Sequence, residues 1–275
     1  MPEAIYPGSM PVEPLDFQAV RALPLGPGQL AVWWLAQASF LLKLHTGAVL
    51  LIDPWLTGGP IGSGTRGERL TPPPIQPEQL DVDAVFISHD HLDHLDSETL
   101  RRMPAALACP VLGPRRVIRA LNRDGLLPAC PRVQLDAGDT HTLPGDVHVR
   151  ATFCIPNDER AIDTVGFHIQ SPGGPAFLLL GDTAYADFLY YLARYPAEIL
   201  ALPVNEGYGN LSHPDAANLV RLLRPQTVIP YHYGCFPRND GDPLLFRKRL
   251  IAASIEPPVE VLTVGRAYVH TSARM

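Results

Sequence analysis

The stretch Ser88-His89-Asp90-His91-Leu92-Asp93-His94-Leu95-Asp96 holds three imidazoles and three carboxylates within nine residues. It directly follows residues 84–87, an apolar run that predicts a buried strand. The cluster is therefore expected in the loop at the carboxyl end of that strand, before a helix that starts near Ser97. Imidazole nitrogens and carboxylate oxygens are the ligands that zinc, manganese and iron(II) prefer. A solvated, histidine-rich loop is the alternative, but the full His-x-His-x-Asp-His pattern after a buried strand favours a metal site.

Two later strands end on further candidate ligands. The apolar run at residues 178–180 is followed by Gly181 and Asp182, and the run at residues 228–231 is followed by His232. Taken alone, Asp182 is a reasonable helix cap, and a single histidine such as His232 is more often a hydrogen-bonded core residue. Because both share with the histidine cluster a position at the end of a buried strand, the three segments together favour one metal site.

Hydrophobic periodicity predicts an α/β fold. Residues 1–28 are rich in proline and glycine and are expected to form an extended N-terminal arm, with residues 29–275 as a single domain. Strands come first in pairs and then alternate with helices, which is typical of two mixed sheets packed face to face with helices on the outer faces. The predicted strands cover residues 30–35, 39–44, 48–52, 84–87, 147–153, 165–170, 176–180, 199–204, 227–230, 259–264 and 267–269, with a short one near residue 133. The predicted helices cover residues 97–102, 113–122, 185–195, 214–223 and 244–253. The glycine- and proline-rich residues 57–77 are predicted to form a lid or binding loop.

Composition excludes several classes of partner. A net charge of -6 and a pI near 5.9, with no stretch dense in lysine and arginine, argue against nucleic acid. No apolar stretch is long enough to cross a membrane, and the N-terminus lacks the basic start and apolar core of a signal peptide. The four cysteines are scattered and are expected to be thiols in a reducing compartment. We therefore expect a cytoplasmic protein that acts on a small molecule, without a membrane or nucleic-acid partner. Homo-oligomerisation is left open.

The pattern His89-x-His91-x-Asp93-His94 resembles the hallmark loop of the metallo-β-lactamase superfamily, whose members are mostly hydrolases with one or two metals. The resemblance implies a metallo-β-lactamase-like αββα sandwich and two divalent ions, manganese or zinc, with iron(II) compatible with the same ligands. It implies that Asp93 also orients a metal-bridging hydroxide for attack. The metal ligands implied in this way are His89, His91, Asp93, His94, Asp182 and His232, with Asp182 between the two ions.

One position departs from the common pattern. Many superfamily members carry a histidine after the central strand, whereas residues 152–160 read Thr-Phe-Cys-Ile-Pro-Asn-Asp-Glu-Arg. From the residues alone, either Asp158 or Glu159 supplies that ligand, or one metal position is weakened. A carboxylate ligand shifts the preference from zinc towards harder ions such as manganese.

Within the superfamily the chain is most similar to the L-ascorbate-6-phosphate lactonase group. The similarity rests on residues 32–40, the segment 81–96, the pair Glu159-Arg160, residues 181–185 and residues 229–232. That group also lacks the histidine and has an acidic residue followed by arginine, which favours Glu159 as the metal ligand. This chain is shorter than typical members of the group.

The resemblance implies a lactonase that acts on a small anionic, sugar-phosphate-like substrate. Arg160 would pair with the anionic group, or else form a salt bridge to Asp158 or Asp163. His213 contacts the substrate or belongs to a surface loop, and Asp53 is either an acceptor for a ligand histidine or a cap.

Two other function classes compete with the lactonase. One is a phosphodiesterase of the branch that includes N-acylphosphatidylethanolamine-type phospholipases D, which share the histidine motif. The other is a non-catalytic metal-binding protein. The first would need a basic or membrane-binding surface that the sequence does not supply, and the second is disfavoured because Asp93 is present.

Overall fold

The computed structural model describes residues 9–58, 69–159, 161–236 and 241–273. Its strands in these ranges are β1 (Gln29–Trp34), β2 (Phe40–Leu44), β3 (Val49–Ile52), β4 (Ala84–Phe86), β5 (Val111–Gly113), β6 (Arg132–Gln134), β7 (Thr140–Leu143), β8 (Val147–Phe153), β9 (Val165–Gln170), β10 (Phe177–Leu179), β11 (Ile199–Pro203), β12 (Thr227–Tyr231) and β13 (Ala267–Thr271). The helices are α1 (Phe17–Ala22), α2 (Ser97–Arg102), α3 (Arg115–Arg123), α4 (His213–Leu223) and α5 (Pro243–Ala252). Three 3-10 helices in these ranges cover Pro77–Gln79, Asp187–Arg194 and Glu206–Tyr208.

The strands form two mixed sheets. One has the order β13-β1-β2-β3-β4-β5-β6, and the other has the order β12-β11-β10-β9-β8-β7. In the first sheet β3, β4, β5 and β6 run parallel, and in the second β10, β11 and β12 run parallel. Parallel strands are covered on both faces, so their sequences are nearly continuous apolar runs, as β3 and β11 show.

Alternation along the strands divides the core into two layers. In β1, Val32 and Trp34 belong to the cluster shared with the second sheet, whereas Ala31 and Trp33 belong to the cluster shared with helices α1, α2 and α3. Successive side chains of a strand point to opposite faces, so a single apolar strand fills both layers. Helices α4 and α5 contribute Leu219 and Phe246 to the cluster on the second sheet. The predicted αββα sandwich is confirmed.

The described part of the N-terminal segment packs on the domain. It contains helix α1, capped by Asp16, whose Phe17 and Val20 are buried. Lys43 on β2 donates to the backbone carbonyl of Val20, and Val12 bridges to Val264. The sequence predicted an extended arm over residues 1–28 and did not predict this helix.

Two predicted elements are wrong in type. Residues 185–195, predicted as an α-helix, form a 3-10 helix over Asp187–Arg194 whose N-cap, Ala186, has no side chain to cap it. Residues 259–264, predicted as a strand, make two isolated bridges, one from Val259 to β12 and one from Val264 to Val12. Because its two ends bind different partners, this segment crosses between the sheets and does not run along either edge. Strands β5 and β7 were not predicted, and α3 begins at Arg115, two residues later than predicted.

The strand ends converge at one edge of the sandwich. Strands β3 and β4 end there from the first sheet, and β10 and β12 end there from the second. Gly181, just after β10, passes so close to β9 that an added Cβ would lie 2.5 Å from the carbonyl oxygen of Val165. This position therefore requires glycine. In the described ranges, no helix combines the length and apolarity that crossing a membrane would require.

Candidate metal centre

The histidine-rich loop is folded tightly against the start of α2. The backbone N–H groups of His94 and Leu95 donate to the carbonyl of His91, at 3.0 and 2.8 Å, which turns the chain back after His91. Asp96 caps α2 by accepting from the backbone N–H of Glu98, and it also accepts from the hydroxyl of Thr99. These contacts fix the backbone of the loop between His91 and the start of α2.

Six of the predicted ligands come together in two adjoining groups. The first group consists of His89, His91 and Asp182, and the second of Asp93, His94 and His232; in each, one donor atom per residue lies within 4.8 Å of the others. Asp182 joins the groups, because its Oδ1 lies 3.4 Å from Nε2 of His94 and 3.3 Å from Nε2 of His232. All of these side chains except His91 are buried. The structure thus brings together side chains that follow the ends of β4, β10 and β12.

One buried carboxylate orients two of the histidines. Asp53, at the end of β3, accepts from the backbone N–H of Ser88 at 2.7 Å, from Ser88 Oγ at 2.6 Å and from His94 Nδ1 at 2.8 Å. A carboxylate only accepts, so the hydroxyl of Ser88 donates to Asp53. Ser88 Oγ can then only accept from His89 Nδ1, 3.0 Å away. Both rings therefore carry a hydrogen on Nδ1 and direct Nε2 into the centre. Asp53 is an acceptor for ligand histidines, one of the two roles that its position allowed.

The inward-facing nitrogens have the character of metal ligands. Nε2 of His89 and Nε2 of His94 are both buried and have no hydrogen-bond partner in the described part of the chain. Leaving a buried polar atom unpaired costs about 1–3 kcal/mol, so such atoms normally have a partner. A divalent cation among imidazoles and carboxylates supplies that partner, and the residues present fit it.

The electrostatics of the centre point the same way. Burial, with the neighbouring His94, holds the pKa of His89 well below its usual value, so this ring is neutral. Burial opposes a charge on His94 as well, but Asp182, Asp53 and Asp93 outweigh it and hold the pKa of His94 well above the usual value. Burial likewise disfavours the charged form of Asp182, yet His232 and His94 hold its pKa well below the usual value. Without a metal, His94 thus keeps an extra proton in the place that a cation would take.

A buried amide that the sequence reasoning missed also reaches the centre. Gln37 lies in the turn between β1 and β2, where Ala36 and Gln37 both have positive φ, of 77° and 52°. Its Nε2 donates to Asp93 Oδ2 at 2.9 Å. The sequence does show a polar residue, Gln37, between two apolar strands. No neighbouring residue, however, indicates that its side chain contacts Asp93.

Comparison with known proteins now decides the family. A family profile for the β-lactamase superfamily domain matches residues 49–233, which is more than half of the chain and includes every residue of both ligand groups. The chain belongs to this superfamily.

Several relatives in the superfamily are similar over most of the chain. The UPF0173 metal-dependent hydrolase of Pyrobaculum arsenaticum is 29% identical over 226 residues, which is 82% of this chain and 93% of the relative. That of Myxococcus xanthus is 29% identical over 227 residues, covering 78% of this chain and 75% of the relative. The lactonase group favoured by the sequence stays a prediction.

Solved structures share the superfamily fold. Igni18, a metallo hydrolase from Ignicoccus hospitalis, has a TM-score of 0.70 at 22% identity, covering 89% of this chain and 99% of that one. An isothiocyanate hydrolase from Delia radicum gut bacteria has a TM-score of 0.72 at 18% identity, covering 88% of this chain and 100% of that one. At these identities the likeness concerns the fold alone.

The remaining predicted site residues of this superfamily member are Glu159 with its competitor Asp158, Arg160 and His213. Asp158 Oδ2 is 3.3 Å from His91 Nε2, whereas Glu159 is exposed and belongs to neither ligand group. Glu159 as the replacement for the missing histidine stays a prediction. Arg160 lies outside the described residues. His213 begins α4 and lies with its ring 6.2 Å from that of Phe246, so its contact with a substrate also stays a prediction.

Proposed function

We propose that this protein is a metal-dependent hydrolase that opens a lactone or a comparable ester in a small anionic molecule, in the cytoplasm. The observation that carries the hydrolase proposal is the pair of buried Nε2 atoms, on His89 and His94, held towards the carboxylate of Asp182. Histidines preset as ligands around a shared carboxylate fit a divalent ion. The UPF0173 designation of the relatives, metal-dependent hydrolase, supports the same class of reaction.

The ligand set assigns roles to the chain's own residues. His89, His91 and Asp182 would hold one metal, and Asp93 and His94 would present ligands for a second beside it. A bound divalent ion supplies Lewis acidity towards a carbonyl and lowers the pKa of water. Asp93, fixed through its Oδ2 by Gln37, orients the attacking water and takes its proton.

A fourth ligand of the first ion, beside His89, His91 and Asp182, is proposed to be a carboxylate of the 158–159 turn. The lactonase resemblance favours Glu159, and the contact of Asp158 with His91 makes it the competing candidate. Metal affinities of Glu159→Gln and Asp158→Asn separate the two. A loss confined to Glu159→Gln supports the proposal, and a loss confined to Asp158→Asn transfers the role. Because the donors include carboxylates, we propose manganese as at least as effective as zinc.

Anion recognition is proposed to fall to Arg160. Arg116, which pairs with the histidine loop, is engaged by Asp90 at 3.2 Å and by Asp163 at 3.8 Å. An unchanged Michaelis constant for anionic lactones in Arg160→Ala would remove this contact from the proposal.

The decisive experiment is a substrate panel with metal-stripped protein reloaded with manganese or zinc. The panel holds a phosphorylated sugar lactone, an uncharged lactone, a phosphodiester and an isothiocyanate. We expect lactone turnover with preference for the anionic one, and we expect Asp93→Asn to lose far more in kcat than in KM. His148→Ala, which alters an exposed imidazole on β8, is the control and should retain activity. Turnover of the phosphodiester alone would favour the phosphodiesterase, and no turnover at all would leave a metal-binding protein without hydrolase activity.

A further inference from the structure

A chain of buried amides connects a backbone N–H to His232. The N–H of Thr183 donates to Asn210 Oδ1 at 2.8 Å, and Asn210 Nδ2 donates to Asn205 Oδ1 at 3.0 Å. Asn205 Nδ2 in turn lies 2.8 Å from His232 Nδ1. All three side chains are buried: Asn205, Asn210 and His232. Each contact therefore supplies a hydrogen-bond partner to a polar group that water does not reach.

The direction of every hydrogen bond in this chain is fixed. A backbone N–H can only donate, so the amide atom of Asn210 that faces Thr183 must be the oxygen, and its nitrogen must face Asn205. Asn205 then meets Asn210 with its oxygen and His232 with its nitrogen. The lone pair that receives this hydrogen belongs to His232 Nδ1, which consequently bears no hydrogen.

A second, independent contact gives the same result. Gln37 Nε2 donates to the carboxylate of Asp93 at 2.9 Å, which fixes the orientation of this amide as well. The same nitrogen lies 3.0 Å from His232 Nδ1, nearer than the 3.4 Å to Nε2. Two donors with separately fixed orientations therefore converge on Nδ1.

His232 thus carries its hydrogen on the opposite ring nitrogen from His89. His89 and His94 carry a hydrogen on Nδ1 and direct Nε2 into the centre, as ligands do. A neutral His232 with a bare Nδ1 must carry its hydrogen on Nε2. That atom faces Asp182 Oδ1 at 3.3 Å and Asp93 Oδ2 at 3.5 Å, both of them acceptors.

We propose that the amide chain through Asn210 and Asn205 holds His232 as an Nε2–H donor facing the centre, so that the centre binds one divalent ion tightly and not two. The tight ion belongs to His89, His91 and Asp182, and this part rests on the proposed function. Asn205 and Asn210 are positioning residues, acting through the ring of His232. His232 presents its hydrogen beside Asp93 and Asp182, where an oxygen of a bound substrate can accept it.

The first test is the protonation of His232 Nδ1, read by nitrogen NMR of metal-free protein with labelled histidine. The wild type should show Nδ1 of His232 without a hydrogen, whereas Nδ1 of His89 carries one. Asn205→Asp keeps an oxygen for Asn210 Nδ2 and turns the donor facing His232 into an acceptor, so Nδ1 should acquire a hydrogen. Asn157→Ala is the matched control, because Asn157 donates to Asn210 Oδ1 at 3.2 Å without reversing the chain. A hydrogen on Nδ1 in the wild type overturns the proposal.

The second test is the stoichiometry of manganese and zinc binding by calorimetry and elemental analysis. The wild type should bind one ion tightly, and Asn205→Asp should bind a second ion about 10–100-fold more tightly than the wild type does, the range seen for partners of ligand histidines. Asn210→Asp, which makes Asn205 turn its oxygen to His232, should act in the same direction if Asn205→Asp does not fold. Two equally tight ions in the wild type overturn the proposal. No metal binding at all would refute the proposed function. The NMR result would still show which ring nitrogen of His232 carries the hydrogen.

Discussion

Replacing Asp53 by asparagine should change which ring nitrogen of the ligand histidines carries the hydrogen. The carboxylate accepts three hydrogen bonds, two through the oxygen that meets Ser88 Oγ and His94 Nδ1. In Asp53→Asn the oxygen stays with the N–H of Ser88, and an amide nitrogen faces His94. That nitrogen donates, so Nδ1 of His94 becomes the acceptor and its hydrogen moves to Nε2, where the metal would bind.

The magnitude follows from the number of rings involved. Removing one partner of a ligand histidine typically costs 10–100-fold in metal affinity. Asp53 orients His94 directly and His89 through Ser88, so we expect about 100-fold, which corresponds to about 2.7 kcal/mol. The side chain is fully buried and nearly isosteric with asparagine, so the change should act on affinity more than on the fold.

The assay is competition between the protein and a chromophoric chelator for manganese and zinc. Asp146→Asn, in an exposed turn between β7 and β8, is the matched control and should bind metal as the wild type does. Affinity within twofold of the wild type in Asp53→Asn would refute the claim that Asp53 orients the ligands.

Three further predictions follow from the geometry. Asp182→Ala should lose bound metal in elemental analysis because it removes the carboxylate shared by both groups, whereas His148→Ala should keep it; full retention in both would remove Asp182 from the ligands. Metal affinity should rise with pH up to the raised pKa of His94, since a protonated His94, 3.4 Å from Asp182, repels a cation bound to that carboxylate. Calorimetry in buffers of different ionisation enthalpy should therefore show proton release, and affinity independent of pH would contradict this. Gly181→Ala should lower the free energy of unfolding by about 1–3 kcal/mol, because the new Cβ would lie 2.5 Å from a backbone oxygen. The control is Gly26→Ala, whose Cβ would make only an ordinary contact at 3.7 Å, so its free energy of unfolding in urea should be nearly unchanged.

Sequence reasoning succeeded where function depends on the ends of apolar strands. The proximity of the histidine loop, Asp182 and His232 could be predicted because each directly follows a buried run, and strands of one sandwich bring such ends to one edge. It failed where the decisive contacts join distant parts of the chain. Gln37 meets Asp93 across 56 positions and His232 across 195, and no local pattern indicates such pairs.

The errors in the fold have the same origin. Residues 259–264 have strand composition, but their partners, Val228 and Val12, lie in different parts of the sandwich. The helix expected over residues 185–195 is a 3-10 helix over Asp187–Arg194, and apolar periodicity over so few residues does not distinguish the two helix types.

A divalent ion held by residues that follow the ends of β4 and β10 is tested most directly by diffraction from manganese-loaded crystals at the manganese absorption edge. We expect an anomalous peak about 2.0–2.6 Å from ligand atoms of His89, His91 and Asp182. The peak should vanish in crystals of Asp182→Ala that retain the fold. Crystals of the loaded wild type with no peak among these three side chains, or with the manganese bound elsewhere, would contradict the account.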